Sequence, residues 1–368
     1  MGTMTTMKKV LEKAFKNKTV LVTGHTGFKG SWLSLWLATL GAEVIGFAQD
    51  PYTRKDNFVL NSLSEDVVDL RGDIRDFDRL QEVFDYYKPE IVFHLAAQPL
   101  VRESYAKPKL TLDVNIGGTV NLLEVCRLSS SVKVIVNITS DKCYENREWL
   151  WGYRENDPMG GHDPYSASKG CSELISNAFR NSFFPPDHYK QHGKSLATVR
   201  AGNVIGGGDW SMDRLIPDCV RSLENHEEII IRNPLATRPW QFVLEPLGGY
   251  LLLAARMWKK PKEFAGAWNF GPERDAVIPV GDLVDLLIRY WGSGSWKIAG
   301  GHSALHEANF LALDINKARY KLNWKPKLEV KEAVEQTVRW YRGYSQVHSL
   351  KEFCRSQINE YMNRMEEK

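Results

Sequence analysis

The sequence is poor in cysteine and has no long uninterrupted apolar run. Its five cysteines lie far apart and include no C-x-x-C pair, which excludes a disulfide framework and a structural zinc site. The longest apolar stretches, such as residues 249–257, are far too short to cross a bilayer. We therefore expect a protein of the reducing cytoplasm that holds no metal ion and makes no membrane contact.

An excess of charge of one sign is also missing. Lysine and arginine total 48 against 45 aspartate and glutamate, a formal net charge of +3, and the basic residues are scattered. This distribution gives no reason to expect nucleic acid as a partner. The first eighteen residues interleave lysines with apolar residues and lack the apolar centre of a secretory signal. A chain of 368 residues is long enough for one large α/β unit with a smaller lobe.

Short apolar runs alternate with amphipathic stretches through the first half of the chain. This alternation predicts an α/β fold with a Rossmann-like, doubly wound parallel sheet, whose ligands bind at the carboxyl ends of the strands. Strands are predicted at Lys18–Thr23, Glu43–Ala48, Val67–Arg71, Ile91–Leu95, Val132–Ile138 and Ala197–Val204, and helices at Ser31–Leu40, Leu110–Leu128 and Tyr165–Arg180.

Glycines and shorter elements replace this alternation after Asn203. Further helices are predicted at Leu215–Leu223, Glu245–Arg256, Val280–Tyr290 and Val330–Tyr344, and residues 310–314 resemble a strand. We expect an N-terminal extension over 1–17, the sheet domain over 18–205 and a mainly substrate-binding C-terminal α/β lobe over 206–368. Some elements of this smaller lobe are expected to return to the sheet domain.

A glycine-rich turn, GHTGFKG over residues 24–30, follows the first predicted strand and opens the first helix. Glycines at such a turn let the backbone approach a pyrophosphate, and the helix N-terminus offers N–H donors and a favourable dipole. The spacing is G-x-x-G-x-x-G and differs from the G-x-G-x-x-G of the standard dinucleotide fingerprint. The strand–turn–helix context nevertheless favours a dinucleotide site over an ordinary turn.

Two polar motifs lie further along the chain. Tyr165 and Lys169 share one face of a predicted helix. There the ammonium, together with an oxidised nicotinamide, is expected to lower the pKa of the phenol and make it a base toward an alcohol. Residues 139–144 (TSDKCY) follow the fifth strand at the carboxyl edge of the sheet. Taken singly, each motif has a plainer interpretation: a helix-surface pair and a solvated Asp–Lys pair.

Together the three motifs resemble the extended short-chain dehydrogenase/reductase family, and the resemblance extends over nearly the whole chain. It includes residues 93–98 (FHLAAQ), 113–119 (DVNIGGT) and 322–326 (LNWKP). It implies that Ser140, Tyr165 and Lys169 are the catalytic hydroxyl, tyrosine and lysine. It also implies an NAD site formed by Gly24, Gly27, Phe28, Gly30, Asp73, Ile74, Leu95, Ala96, Ala97, Asn115, Tyr165 and Lys169.

Within that family the chain is similar to nucleotide-sugar 4,6-dehydratases, in which an aspartate and a base follow the catalytic hydroxyl. The base is glutamate in the thymidine- and guanosine-linked enzymes, whereas here it is Lys142, so residues 140–146 resemble the group that acts on CDP-glucose. The resemblance implies that Lys142 removes the C5 proton and that Asp141 protonates the departing 6-hydroxyl. These roles require a neutral Lys142 and a protonated Asp141. The 4-keto-6-deoxy product would supply deoxyhexoses of surface polysaccharides such as lipopolysaccharide O-antigen.

The resemblance also implies contacts of Asn203, Arg214 and Arg238 with the substrate, since the planar fork of arginine suits phosphate oxygens. Glu307 and Asn309 are weaker candidates. NAD is favoured over NADP although the usual acidic residue falls near Ala48 and the nearest carboxylate is Asp50. The nearby Arg54 and Lys55 leave a 2′-phosphate possible.

A homodimer is the expected assembly. Members of the family commonly pair through the helices around 113–128 and 165–180, which form a four-helix bundle across a twofold axis. We expect Leu122, Leu123, Val125 and Cys126 to supply the apolar face of the first helix, unless these residues pack within one subunit.

Three functions remain open at this point. The first is a dehydratase acting on CDP-glucose, and the second is a nucleotide-sugar epimerase or a 4,6-dehydratase for another nucleotide sugar. An epimerase would leave Asp141 and Lys142 dispensable. The third is a dinucleotide-sensing module without catalysis, which would bind NAD without turnover.

Overall fold

The structure is a computed structural model that describes residues 7–273, 276–300 and 310–366. Its centre is a parallel sheet of seven strands: β1 (Thr19–Thr23), β2 (Glu43–Ala48), β3 (Val68–Arg71), β4 (Ile91–His94), β5 (Val134–Ile138), β6 (Ser195–Ala201) and β11 (Gly266–Phe270). Outside it, β7 (Val204–Ile205) pairs with β10 (Gln241–Phe242), β9 (Thr237–Pro239) with β12 (Val277–Pro279), and β8 (Ile229–Ile231) with β13 (Trp296–Ile298).

Helices cover both faces of the sheet. They are α1 (Met7–Phe15), α2 (Phe28–Thr39), α3 (Asn57–Leu60), α4 (Phe77–Tyr87), α5 (Val101–Ala106), α6 (Pro108–Leu112), α7 (Gly118–Leu128), α8 (Pro164–Ser182), α9 (Tyr189–His192), α10 (Leu215–Glu224), α11 (Leu244–Lys259), α12 (Pro261–Phe264), α13 (Val280–Trp291), α14 (Val330–Gly343) and α15 (Leu350–Glu366). In the described part of the chain, no helix combines the length and apolar character needed to cross a bilayer.

The strand order β11-β6-β5-β4-β1-β2-β3, with every neighbouring pair parallel, confirms the predicted doubly wound sheet. Side chains alternate between two cores: Val20 and Val22 of β1 face the core of α2 and α11, whereas Leu21 faces the core of α4 and α7. A strand buried on both faces needs an unbroken apolar run, which the sequence TVLVT provides. Beyond the sheet, α10 packs on β8 and α13 on β12 to form the smaller lobe.

Some elements differ from the sequence prediction. The helix predicted over residues 110–128 is interrupted by a π-helical turn at Asp113–Gly117. The last predicted strand ends at Ala201 and resumes as β7 beyond Gly202. Residues 310–314 do not form a strand, and Leu313 makes only a single bridge with Tyr153. The sequence prediction missed β11 and α15.

The four residues of α7 that were predicted to form the apolar face of the dimer lie in the core instead. Because α7 turns its apolar side toward the sheet, these side chains pack inside one subunit and cannot contact a second copy. The buried side chains are those of Leu122, Leu123, Val125 and Cys126, and each is fully buried. The large apolar side chains exposed on α6, α7 and α8, or directly after α8, are instead Leu112, Val120, Leu128, Leu174 and Phe183.

A buried carboxylate joins the C-terminal region to the helices beneath the sheet. Glu245, near the start of α11, accepts hydrogen bonds from the backbone N–H groups of Lys327 (2.8 Å) and Leu328 (2.7 Å) and from the hydroxyl of Tyr361 (2.6 Å) on α15. Burial raises the pKa of Glu245 to about 7. This group therefore couples the packing of the C-terminal region to pH.

We expect Glu245→Gln to change the pH dependence of stability. Because the pKa of Glu245 rises from 4.5 to about 7 on folding, the stability linked to its proton is complete below about pH 4.5 and is lost as pH rises through about 7. The unfolding free energy of the wild type minus that of the variant should fall by about 3 kcal/mol across this window. Urea unfolding at both ends of the window measures it. The exposed Glu263→Gln is the control, and identical pH profiles for all three proteins would contradict the expectation.

Candidate active site

The glycine turn after β1 is shaped by close backbone contacts. Gly24 has a left-handed φ of +76°, and a Cβ there would lie 2.8 Å from the backbone nitrogen of Ala96. A Cβ on Gly30 would lie 2.0 Å from the carbonyl oxygen of Gly24. Gly27 is exposed and precedes α2 without a side-chain cap, so the first N–H groups of this helix are open to an anion. This geometry fits the pyrophosphate of a dinucleotide.

A groove of about 400 Å³ lies at the carboxyl ends of β2 and β3, lined by Gln49, Asp50, Arg71 and Gly72. Asp50 is exposed there and forms a 3.5 Å ion pair with Arg71. The groove therefore offers both a carboxylate and a guanidinium to a ribose.

Two residues predicted beside this groove have other partners. The Arg75 guanidinium holds the pKa of Asp73 below its ordinary value, and Asp73 also accepts a hydrogen bond from Gln49 (2.9 Å). Lys55 pairs with Glu224 (3.1 Å) and lies over the ring of Trp210. Its ammonium is thus engaged by a carboxylate of α10 and by the Trp210 ring.

Asn115, in the π-helical turn, joins the loop after β4 to α8. Its side chain accepts from the backbone N–H of Gln98 (2.8 Å) and donates to the carbonyl of Gln98 (3.1 Å) and the hydroxyl of Ser168 (2.8 Å). Residues 95–97 in that loop are half-buried, and Ile74 packs against Gly118 from the other side. These residues, which are among those predicted to surround the dinucleotide, are thus brought to one edge of the sheet.

Tyr165 and Ser140 meet at the start of α8. Asp163 caps this helix by accepting from the N–H of Ser166 (2.9 Å), which places Tyr165 in the first turn. Burial raises the pKa of Tyr165 to about 12, opposed by a hydrogen bond with Ser140 and reinforced by the charge of Asp141. Burial lowers the pKa of Lys169 to about 8, and its ammonium donates to the carbonyl of Ile138 at 3.4 Å. Among the protein groups, burial therefore outweighs the hydrogen bond from Ser140, and the lowering of the phenol pKa that we expect from Lys169 together with an oxidised nicotinamide stays a prediction.

Asp141 occupies a buried position on the loop after β5. Ser140 begins a 3₁₀ turn, accepts from the N–H of Lys142 (3.2 Å) and donates to Oδ1 of Asp141 (3.0 Å). The other carboxylate oxygen, Oδ2, is buried, and no residue in the described part of the chain donates to it. Asp141 is 4% exposed, and no ion pair of the described residues joins it to Lys142. The interpretation as a solvated Asp–Lys pair therefore fails.

The predicted substrate contacts border this loop. A Cβ on Gly202 would lie 3.3 Å from Oδ2 of Asp141 and 3.1 Å from Pro239. The residues next to Gly202 and Pro239 in the chain are Asn203 and Arg238. Arg214 begins α10, and its charge acts on the phenol of Tyr165. Glu307 and Asn309 lie outside the described residues.

Sequence analysis missed two residues of this site. Asp209 accepts a 2.8 Å hydrogen bond from Arg214 and orients its guanidinium. Lys29, within the glycine turn, is near enough to Arg214, Asp141 and Lys169 to interact with their charges, and burial lowers its pKa to about 8. The signal available in the sequence was the cation Lys29 within the glycine-rich turn. No local pattern marks Asp209.

The fold and this arrangement of site residues define the class of protein, and comparison with known proteins identifies its family. A sequence model described as GDP-mannose 4,6 dehydratase matches residues 21–260. The chain belongs to this family, which is part of the extended short-chain dehydrogenase/reductase family.

Individual relatives cover almost the whole chain. The CDP-glucose 4,6-dehydratase of Salmonella typhimurium is 50% identical over 355 residues, covering 96% of this chain and 99% of that protein. Among solved structures, an epimerase from Methanothermobacter thermautotrophicus superposes with a TM-score of 0.79 at 26% identity, covering 96% and 99% of the two chains. A dTDP-glucose 4,6-dehydratase from Bacillus anthracis in complex with NAD gives a TM-score of 0.73 at 21% identity, covering 88% and 96%.

We expect Gly27→Ala to separate cofactor binding from folding. A Cβ at this position meets protein only at the carbonyl oxygen of Gly24, at 3.4 Å, so the turn tolerates it. The methyl group would nevertheless stand where a pyrophosphate approaches the helix, and NAD affinity should fall about tenfold or more. Isothermal titration with NAD and thermal unfolding measure the two effects.

The matched control is Gly343→Ala at the end of α14, where a Cβ makes an ordinary 3.5 Å contact with Val347. This variant should keep both the NAD affinity and the melting temperature of the wild type. Equal NAD affinity for Gly27→Ala and wild type would show that the pyrophosphate does not bind at this turn.

Proposed function

We propose that the chain converts CDP-D-glucose to CDP-4-dehydro-6-deoxy-D-glucose and water, by intramolecular oxidation, elimination and reduction with NAD. It is a hydro-lyase of the nucleotide-sugar 4,6-dehydratase type. The observation that carries this proposal is the buried Asp141, next to Lys142 and hydrogen-bonded to Ser140, on a chain half identical to a CDP-glucose 4,6-dehydratase.

The cofactor is assigned to the glycine turn and to the loops after β2, β3 and β4. Gly24, Gly27 and Gly30 bring backbone to the pyrophosphate, and Asn115 orders the loop beside the nicotinamide. NAD, when bound, accepts electrons in the first oxidation and returns them in the last reduction, so none is consumed.

Oxidation at C4 needs a base for the 4-hydroxyl, and Tyr165 is that base. Ser140 hydrogen-bonds to its phenol, and Lys169 lies one helical turn away on the same face. Since burial holds the pKa of Tyr165 at about 12, positive charge close to the phenol is required before it can take the proton.

Elimination then follows from the new ketone, which acidifies the hydrogen at C5. Ser140 and Tyr165 hydrogen-bond the oxygen on which negative charge develops. Lys142 takes the proton from C5 and Asp141 gives a proton to the leaving 6-hydroxyl, which departs as water. Because C5 and C6 are adjacent, adjacent residues on one short loop can reach both atoms. After the final reduction at C6, Lys142 returns a proton to C5, and the proton that Tyr165 gained from the 4-hydroxyl balances the one that Asp141 gave to the leaving water.

The diphosphate is assigned to the arginines beside the loop. Arg214, oriented by Asp209, and Arg238 present guanidinium groups that pair with phosphate oxygens, and Asn203 adds an amide. We assign NAD binding to residues 18–205 and substrate binding mainly to 206–368. The proposal places the enzyme in the cytoplasm, where its product supplies deoxyhexoses for surface polysaccharides such as O-antigen.

The test is turnover of nucleotide sugars. With NAD and CDP-glucose, the protein should form a 4-keto-6-deoxy sugar, detected by its near-ultraviolet absorbance in alkali. Lys142→Ala should lower the rate by about 10²–10⁴-fold, as expected on loss of a general base. Lys190→Ala, at an exposed lysine of α9, is the matched control and should keep the wild-type rate.

UDP-, dTDP- and GDP-linked hexoses are assayed in parallel. Product from one of these instead of CDP-glucose would keep the mechanism and replace the substrate. A C4 epimer formed equally well by Lys142→Ala and Asp141→Asn would establish an epimerase. NAD binding without any product would establish a sensing module.

We also propose a homodimer that forms through α7 and α8. The exposed apolar side chains of Val120, Leu128, Leu174 and Phe183 lie on these helices or at their ends. Arg127 of α7 lies over the ring of Phe183, so the ends of the two helices are neighbours, and exposed apolar side chains on one surface are typical of a protein interface.

We expect Leu174→Glu to dissociate this dimer, because a charge would be buried at the interface without a partner. Light scattering after size exclusion should show a dimer for the wild type and a monomer for the variant. The control, Leu235→Glu, changes an exposed leucine outside both helices and should stay dimeric. A wild-type monomer, or a dimer that survives Leu174→Glu, would refute this interface.

A further inference from the structure

A buried ion pair lies directly behind the candidate active site. Glu173 on α8 and Arg200 on β6 are 5% and 2% exposed. The guanidinium donates to both carboxylate oxygens, through Nε at 2.9 Å and Nη2 at 2.8 Å. Glu173 follows Tyr165 and Lys169 at intervals of four residues, so all three lie on one face of α8. The pair is therefore built onto the helix that carries the proposed base.

The same pair holds both ends of the loop that contains Ser140, Asp141 and Lys142. At the first end, the hydroxyl of Thr139 donates to Glu173 at 2.5 Å. At the other end, Nη1 of Arg200 donates to the hydroxyl of Tyr144 at 2.5 Å. The three residues proposed for elimination thus lie between two anchors that share one ion pair.

Further hydrogen bonds tie these anchors to the edge of the sheet. Tyr144 donates to Asn269 of β11 at 2.8 Å, and Asn269 donates to the carbonyl of Tyr153. Thr198 of β6 donates to Glu173 at 2.7 Å. Every polar atom of the Glu173 carboxylate is occupied, which is what a buried charge requires if it is to persist.

α8 is held in place by other bonds as well. Ser168 bonds to Asn115, and Asn137 donates to Ser172 (3.0 Å) and Ser176 (2.8 Å). The position of Tyr165 therefore does not depend on the ion pair alone. The loop differs, because the hydroxyl groups at both of its ends bond to the ion pair, in addition to the bonds of Thr139 to the carbonyl of Val199 (3.2 Å) and of Tyr144 to Asn269.

We propose that Glu173 and Arg200 are positioning residues for the elimination step. The ion pair sets the distance between the loop and Tyr165, so that Asp141 and Lys142 reach C5 and C6 of the same sugar that Tyr165 oxidises at C4. This inference rests on the proposed dehydratase function. Small displacements of reacting groups cost about 10²-fold in rate, which makes such anchoring consequential.

The test cuts the loop from the ion pair while leaving both charges in place. The double variant Thr139→Val, Tyr144→Phe removes two hydroxyl groups and preserves side-chain shape. Its control, Thr337→Val, Tyr361→Phe, removes the same groups at buried positions of α14 and α15, where they bond to Ala333 and Glu245. Thermal unfolding of both double variants measures any loss of stability.

Isotope effects then separate positioning from stability. CDP-glucose deuterated at C4 reports the two hydride transfers, from C4 and to C6, and CDP-glucose deuterated at C5 reports elimination. We expect the loop variant to lose about tenfold or more in kcat and to show a larger C5 isotope effect and a smaller C4 isotope effect than wild type. The control should keep both wild-type isotope effects. The single variant Thr139→Ser, with Tyr144 unchanged, retains the hydroxyl group and should show the wild-type isotope effects.

The outcomes distinguish this inference from the proposed function. A wild type that forms no keto sugar from CDP-glucose overturns both. An active wild type with a loop variant whose kcat and isotope effects match those of the control overturns the positioning role alone. A loop variant that loses rate but keeps the wild-type isotope effects also overturns the positioning role, since that result reflects only a smaller folded fraction of the protein.

Discussion

The site depends on a polar helix face that is buried against the sheet. On α8 the side chains turned inward include Tyr165, Ser168, Lys169, Ser172, Glu173 and Ser176. Buried polar groups need hydrogen-bond partners, and each of these positions can be satisfied in only one alignment of the helix on the sheet. Sliding α8 by one residue would leave a lysine and a glutamate buried without partners. This requirement fixes the height of Tyr165 at the carboxyl edge of the strands.

The partners of this face are spread over several strands, which is why the helix connects the parts of the site. Ser168 reaches Asn115 and, through it, the loop expected beside the nicotinamide. Glu173 reaches Thr139 and Arg200, and so the loop that carries Asp141. One helix thus relates the cofactor side of the site to the elimination side, and the relative placement of oxidation and elimination is a property of its packing.

Local patterns in the sequence predicted the elements whose neighbours lie close along the chain. The strands from β1 to β6 and the helices from α10 to α14 that were predicted all exist, because each forms from a continuous apolar run or a periodic apolar stripe. β11 was missed because GAWNF, with a glycine and an asparagine, becomes a strand through parallel pairing with β6. Such pairing depends on contacts that no local window contains.

The same distinction holds in the site. The motif residues were found because the resemblance to a family marks them, whereas Glu173 and Arg200, 27 residues apart, form no sequence pattern. The direction of side chains was also beyond local reasoning. Leu122 and its neighbours read equally well as an interface or a core, and only the packing of α4 beside α7 decides for the core.

The burial that positions the ionisable side chains of the site also sets their protonation states. It holds the proton on Tyr165, with a pKa of about 12, and brings the pKa values of Lys29 and Lys169 down to about 8. Lys29 lies near two further cations, Lys169 and Arg214, and near the carboxyl groups of Asp141 and Asp209. A diphosphate placed among these cations would keep them charged, since opposite charge favours the ionised form. The substrate itself thus helps to set the protonation states on which its conversion depends.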